Sequence, residues 1–299
     1  MTTEVAFKVD VCNHRALHRG LPGLLRTLGE AGVPASLFVA FGPDHSGRAI
    51  RRIFRRGFLT KMLRTRAPRM YGFRTLFLGT LLPAPSVGES APELLRRAAA
   101  EGHAVGLHGY DHVGWQDGVS RFGASDLRSR FERAIGAFES ALGEPPAFTG
   151  APGWQVTPAS LQVQDEFGFS WASDCRGGEP FYPALAGHRA ETLQIPTSLP
   201  TSDELLGAGI ARERDLAAWY SAHLVPDRLN VIGLHAEAEG IHFSGWIQAW
   251  LRELRDQHVT FVSLPEVARR ERERAPLRRI EQRELPGRSG AVACPEKCA

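Results

Sequence analysis

Cysteine is scarce in this chain: 4 among 299 residues, at Cys12, Cys175, Cys294 and Cys298. Residues so few and scattered exclude a disulfide-framed secreted domain. Thr2, Thr3 and Glu4 lead straight into an apolar alternation instead of a leader, so a reducing, cytoplasmic compartment is expected. Nor is there an apolar run approaching the roughly 18 to 20 residues that cross a bilayer. Acidic residues are missing from one whole stretch. Between Asp44 and Glu89 there is none, while Arg48, Arg51, Arg52, Arg55, Arg56, Lys61, Arg64, Arg66, Arg69 and Arg74 all stand there. The net charge of +3 therefore hides an acidic remainder. A block of one sign must face an anionic partner or a charged surface. Otherwise the composition is ordinary for a folded chain, 43% hydrophobic and 23% charged, and long enough for one large core.

What is present is strand–helix alternation. Val5 to Val11 alternates as a first strand, Leu21 to Gly32 reads as a helix with a glycine stop, and Ala35 to Phe41 as a buried strand. Helices are expected at 48–64, 90–101, 125–142, 158–167, 213–225 and 247–257. Strands are expected at 103–107, 148–151, 169–175, 192–195, 230–234 and 259–262. In the helix at 125–142, Leu127, Phe131, Ile135, Phe138 and Leu142 recur at helical spacing. Such alternation implies a parallel sheet of about seven or eight strands, hence an α/β barrel. Residues 1–268 form that domain, with a basic amphipathic insertion at about 45–85. From 269 to 299 the chain is charged and reads as an extended or disordered tail.

Polar clusters fall at the predicted strand ends, where barrel enzymes assemble their chemistry. Asp10 and Cys12 share one parity of the first strand, and Phe7, Val9 and Val11 the other. Taken alone, Asp10 reads equally as a cap and Cys12 as a small buried hydrophobe. His108-Gly-Tyr-Asp-His112 puts two histidines at a spacing that brings both to one face of a helical turn, within reach of one ion. Thr149-Gly-Ala-Pro-Gly-Trp154 is a strand-to-turn segment open to backbone contacts with a ligand, or an ordinary Pro-Gly turn. Ser173-Asp174-Cys175-Arg176 and His235-Ala-Glu237-Ala-Glu239 complete the set. A metal needs neutral imidazoles or anionic ligands, and a hydrolase needs a base and an acid. Asp10, the histidine pair and His235 supply these.

The order of these clusters resembles the polysaccharide deacetylase family, metal-dependent amidases on a distorted (β/α) barrel. The resemblance runs from about Phe7 to Val267. It is carried by KVDVCN, FVAFGPDHSGR, the run from Phe58 to Arg64, VGLHGYDHVGWQ, SDCRGG, QIPTSLPTSDE and LHAEAEG. Within the family it points to removal of the formyl group from undecaprenyl-phosphate-linked 4-deoxy-4-formamido-L-arabinose, a step toward aminoarabinose-modified lipid A. The resemblance implies His108 and His112 as metal ligands, Asp10 as base, His235 as acid and Asp174 as the residue orienting it. Trp154, Trp115 and Arg176 are implied as substrate contacts, with the backbone near Trp154 holding the oxyanion. One position departs from the family: Cys12 stands where a second aspartate normally ligates the metal. Either its thiolate replaces the carboxylate, which favours zinc, or Asp10 or His14 moves in, or the site is weakened. Gln155 replaces an arginine of the deformylases. Alternatives are a deacetylase of another N-acyl sugar and an inert lipid-sugar binding homologue.

Residues 48–74 interleave arginines with Ile50, Ile53, Phe54, Phe58, Leu59, Met62 and Leu63. That pattern suits an interfacial helix on anionic lipid. Arg51, Arg52, Arg55, Arg56, Phe58, Lys61 and Arg64 are its expected lipid contacts, on the inner face of the plasma membrane. A solvated charged face is the plainer reading, and no nucleic-acid motif accompanies the charge.

Overall fold

The computed structural model describes residues 2–49, 74–186, 188–257, 259–288 and 290–296. The helix expected at 48–64 and the lipid contacts Arg51, Arg52, Arg55, Arg56, Phe58, Lys61 and Arg64 lie outside the described residues, save for the helix's first two positions.

The strands are β1 (Thr3–Val11), β2 (Ala35–Val39), β3 (Ala104–Leu107), β4 (Phe148–Thr149), β5 (Trp171–Ala172), β6 (Tyr182–Leu185), β7 (His188–Arg189), β8 (Leu193–Gln194), β9 (Leu229–His235), β10 (Val259–Phe261), β11 (Leu277–Arg278), β12 (Ile280–Glu284) and β13 (Ala291–Pro295). Parallel pairing runs in the order β9-β1-β2-β3-β4-β5-β8, and β10 joins the lower part of β1. The Ser198 N–H donates to the Val231 carbonyl at 2.9 Å, bringing the chain after β8 onto β9. The sheet thus curls into an incomplete barrel, as the alternation predicts.

Helices α1 (Leu21–Ala31), α2 (Pro92–Ala100), α3 (His112–Gly118), α4 (Ala124–Leu142), α5 (Pro158–Asp165), α6 (Ser202–Ala208), α7 (Leu216–His223), α8 (Ser244–Arg255) and α9 (Leu264–Glu271) accompany the strands. Strand parity divides the core. Val5, Phe7, Val9 and Val11 pack with Leu24, Leu28 and Trp250 in the larger apolar cluster, which takes in the buried faces of the helices. Ala6, Phe38, Phe148 and Trp171 form a second cluster with Val231. There Phe148 stacks on Trp171 at 4.3 Å, and a Cβ on Gly106 would come within 2.4 Å of the Phe148 ring. In α4, Leu127, Phe131 and Phe138 are buried, each contributing about 1.5–3 kcal/mol. Gly143, at φ +86°, ends that helix in the left-handed conformation.

Two segments depart from expectation. The tail expected at 269–299 begins inside α9, and β11 then pairs with β6. An antiparallel hairpin of β12 and β13 follows, with Val292 and Cys294 packed on Trp154. Charge content concealed an apolar stripe carried by a few alternating residues. Between the strand expected at 192–195 and the helix expected at 213–225 stands a further helix, α6, whose Thr201 and Glu204 form a capping box.

Candidate active site

The predicted polar clusters converge on one rim. Asp10 ends the inward-facing series of β1, Cys12 follows that strand, His108 follows β3, and His235 ends β9. Cys12, His108 and His112 present ligand atoms within 4.8 Å of one another. The His108 and His112 rings lie 5.1 Å apart. They do not share a helical turn, as the spacing suggests. Gly109, at φ +71°, turns the chain, and His112 opens α3 behind the Asp111 cap. The pair meets across a loop.

Each metal-side residue is braced by its neighbours. His108 Nδ1 lies 2.9 Å from the Gly150 carbonyl, which places the proton on Nδ1 and leaves Nε2 free to ligate. Burial pushes the His108 ring down to about 4, so it is neutral at pH 7. Burial also pushes the Cys12 thiol well up, with Glu237 and Asp10 adding to it; a cation is what would draw off its proton. One thiol and two imidazoles form a donor set that fits a divalent ion such as zinc.

Asp10 stands beside this group, its Oδ2 3.9 Å from His108 Nε2. The fully buried Lys8, two residues earlier on the same face, donates from Nζ to Asp10 Oδ1 at 2.5 Å. Burial raises the Asp10 carboxyl, but Lys8, His108 and His235 outweigh it and hold it at about 2. Asp10 is therefore ionised, as a base must be. Lys8 was legible only as parity with Asp10.

His235 faces a carboxylate, but not the one expected. Its Nδ1 lies 3.4 Å from Asp203 Oδ1, which also accepts from Thr201 Oγ1 at 2.6 Å. Burial lowers the His235 ring; the Asp203 hydrogen bond and charge, with Glu237 and Asp10, raise it to about 9. The His235 N–H donates to Glu239 Oε2 at 2.8 Å, and Ser202 Oγ donates to the other oxygen of that carboxylate. Glu239 belongs to the polar cluster read after His235, whereas Asp203 is given no role by the sequence; the capping-box spacing at Thr201 was the available signal.

Asp174 lies on the other wall. It accepts from the Ala151 N–H at 2.6 Å, from Gln164 Nε2 at 3.0 Å and from Gln194 Nε2 at 2.8 Å. It anchors the turn whose Gly150 carbonyl meets His108, so it braces a metal-side histidine rather than orienting His235. The reason is strand order: β8 lies between β5 and β9, so the segment after β8 adjoins His235.

The expected substrate contacts have protein partners. Arg176 donates from Nε to the Thr197 carbonyl, from Nη1 to both Glu204 oxygens and from Nη2 to the Leu199 carbonyl. It is a buried ion pair rather than a phosphate receiver. Trp115 is buried, donates to the Gln155 carbonyl at 2.8 Å and packs edge-on against Phe131. Trp154 is buried at φ +55°, and its indole donates to Thr197 Oγ1 at 3.0 Å. Its own N–H donates to the Ala151 carbonyl, which removes it from the expected oxyanion role. Lys8, Arg176 and Arg288 surround its ring within 5.2, 4.8 and 4.7 Å. The His14 ring lies 4.1 Å from that of His18, tilted against it, and His14 is not among the ligand group.

Comparison with known proteins agrees with this geometry. The family described as Polysaccharide deacetylase matches residues 4–172. A protein of Shewanella sediminis (strain HAW-EB3), named as a probable 4-deoxy-4-formamido-L-arabinose-phosphoundecaprenol deformylase, is 34% identical over 288 residues, 96% of this chain and 93% of its own. One of the same name from Wigglesworthia glossinidia brevipalpis is 28% identical over 93% of this chain and 97% of its own. A crystal structure assigned to the polysaccharide deacetylases, from Mycobacterium smegmatis, superposes with a TM-score of 0.63 at 18% identity, covering 95% of this chain and 96% of its own. The family is metal-dependent and hydrolyses amide bonds, which is what a ligand group flanked by a base and a histidine–carboxylate pair equips a rim to do. The chain belongs to the polysaccharide deacetylase family.

Proposed function

We propose that this protein removes the formyl group from undecaprenyl-phosphate-linked 4-deoxy-4-formamido-L-arabinose, releasing formate and a free 4-amino sugar. The observation that carries the reading is the convergence of Cys12, His108 and His112 beside Asp10, with His235 on the same rim. The chain also resembles proteins named for that reaction along nearly its whole length.

Cys12, His108 and His112 would hold one divalent ion, and the sulfur favours zinc. When bound, that ion supplies Lewis acidity toward the formyl oxygen and toward water. The rest of the chemistry belongs to the chain. Asp10, ionised and held by Lys8, takes a proton from the attacking water. His235, protonated through its pairing with Asp203, gives a proton to the departing amine. Microscopically the two groups are poised in the right states, a low carboxylate and a high imidazole.

A lipid-linked substrate requires approach to a membrane. The arginine-rich stretch at 48–74 supports peripheral attachment to anionic lipid, and Leu81, just beyond it, is 80% exposed. A second reading, an inert lipid-sugar binder, is favoured by one observation only: the half-buried, desolvated Cys12 thiol resists ionisation where a carboxylate would already be charged.

The test is formate release from the lipid-linked formamido sugar, with the acetamido analogue in parallel and metal content measured on the same preparation. Formate release with about one metal per chain supports the deformylase. Preference for the acetyl sugar makes it a deacetylase, and sugar binding without metal or turnover makes it the inert homologue.

A further inference from the structure

We infer that Arg288, at the turn of the C-terminal hairpin, is a positioning residue for the His235–Asp203 pair, so that the hairpin belongs to the active site. The inference rests on the hydrolase reading above but concerns a segment beyond residues 4–172, the family match.

Arg288 joins two parts of the rim. Its Nη1 donates to Glu204 Oε1 at 2.9 Å, its Nη2 donates to the Gly153 carbonyl at 3.1 Å, and its guanidinium lies 4.7 Å over the Trp154 ring. Gly153 belongs to the turn after β4, whereas Glu204 lies in the first turn of α6, next to Asp203. The second oxygen of Glu204 accepts the Thr201 N–H at 3.0 Å, and Thr201 Oγ1 donates to Asp203. Arg288, Glu204, Thr201 and Asp203 thus form a continuous polar chain ending at His235 Nδ1.

The hairpin backbone is fitted to this task. Gly287 has φ +77°, and a Cβ there would stand 2.2 Å from the Glu204 carbonyl oxygen. The turn therefore seats directly on α6, and only glycine permits that approach. Glu204 is 1% exposed, and Arg176 already neutralises it with contacts to both oxygens at 2.9 Å. Removing Arg288 leaves that ion pair intact. What is lost is the link from α6 to the Gly153 turn, hence the fixed placement of Asp203.

The experiment uses the full-length, zinc-loaded protein as parent, Arg288→Ala and Arg288→Lys. It measures kcat and KM for formate release, metal content, and the 15N–1H side-chain resonances of His235. A displacement of about 1 Å is enough to lower kcat on the order of 100-fold, so that loss is expected for Arg288→Ala. Its KM and metal content should stay near those of the parent, and its His235 ring signals should shift or broaden. Arg288→Lys, which keeps the charge and reaches one partner, should recover about a tenth of parental kcat or more and holds the fold if the alanine variant does not. In Arg288→Ala, unmoved His235 signals, or a kcat within about twofold of the parent, would overturn the inference. So would loss of metal together with activity that lysine does not restore. Because the ring spectrum is read without turnover, a parent that releases no formate defeats the deformylase reading alone.

Discussion

The two walls of the site are built differently. The metal-side wall uses β1, β3 and the turn after β4, and its key contacts are short: His108 to Gly150, Lys8 to Asp10, Asp174 to Ala151. The acid-side wall uses β9 and α6, and it is held by carboxylates and arginines drawn from far along the chain, down to Arg288. The first wall presents Cys12 and His108 from strand ends that strand pairing brings into register, and the Gly109 turn adds His112 from the start of α3. The second needs a helix first turn locked from outside before His235 has a partner. The difference teaches that chemistry and its support are distributed unequally: the ligands and the acid come with the barrel, whereas the carboxylate that pairs with the acid comes with the elements appended to it.

Removing a ligand breaks the metal wall outright. His108→Ala should lose the metal and on the order of 10⁴-fold in formate release, because Lewis acidity and water activation depart together. Elemental analysis beside the assay checks both, and full metal occupancy in that variant counts against the ligand assignment.

The acid wall is sharpened by exchanging its expected carboxylate for the observed one. Asp203→Asn should lower kcat about 100-fold with metal retained, since the imidazolium loses its partner. Asp174→Asn should instead cost about 1–3 kcal/mol of stability through a disturbed buried network. A larger kcat loss in the Asp174 variant than in the Asp203 variant reverses the two walls.

His235 also makes a pH prediction. Its folded value, about 9, is above the ordinary 6.5, so the Asp203 pairing stabilises the fold fully below about 6.5, and that contribution is lost as pH rises through about 9. NMR titration of the metal-free protein should find the ring protonated at pH 8, and Asp203→Asn should bring its titration down toward neutrality.

Smaller effects follow at the margins. Cys12→Asp should keep the metal and keep or raise activity, since a carboxylate is ionised without help from the cation. A folded, metal-loaded but inactive variant speaks against position 12 as a ligand site. Reversing Arg51, Arg52, Arg55 and Arg56 should weaken binding to anionic vesicles by about 1 kcal/mol per residue near the surface, as read by co-sedimentation, with activity on a soluble analogue unchanged.

Legibility in the sequence followed the same division. The periodicity of 125–142 and the alternation of Val5 to Val11 marked their elements within a residue or two, and strand parity separated Asp10 and Cys12 from Phe7 and Val9. The histidine pair was legible as a pair, though its loop geometry was not, because Gly109 breaks the turn that spacing alone suggests. Asp203 was not legible: choosing between it and Asp174 requires knowing that β8 intervenes between β5 and β9, a fact of long-range pairing. The hairpin was hidden for a similar reason. Its charges read as solvated, but Arg288 meets Glu204 and Val292 meets Trp154 only once the barrel exists. Arg176 showed how a cation next to a polar cluster reads as a ligand-binder when its partner is a carboxylate from a later helix.

X-ray absorption at the zinc edge of the loaded protein tests the central claim most directly. The account predicts a first shell containing one sulfur and two imidazole nitrogens, with the sulfur lost in Cys12→Ser and an imidazole lost in His108→Ala. A shell of nitrogen and oxygen alone, unchanged by either substitution, contradicts it.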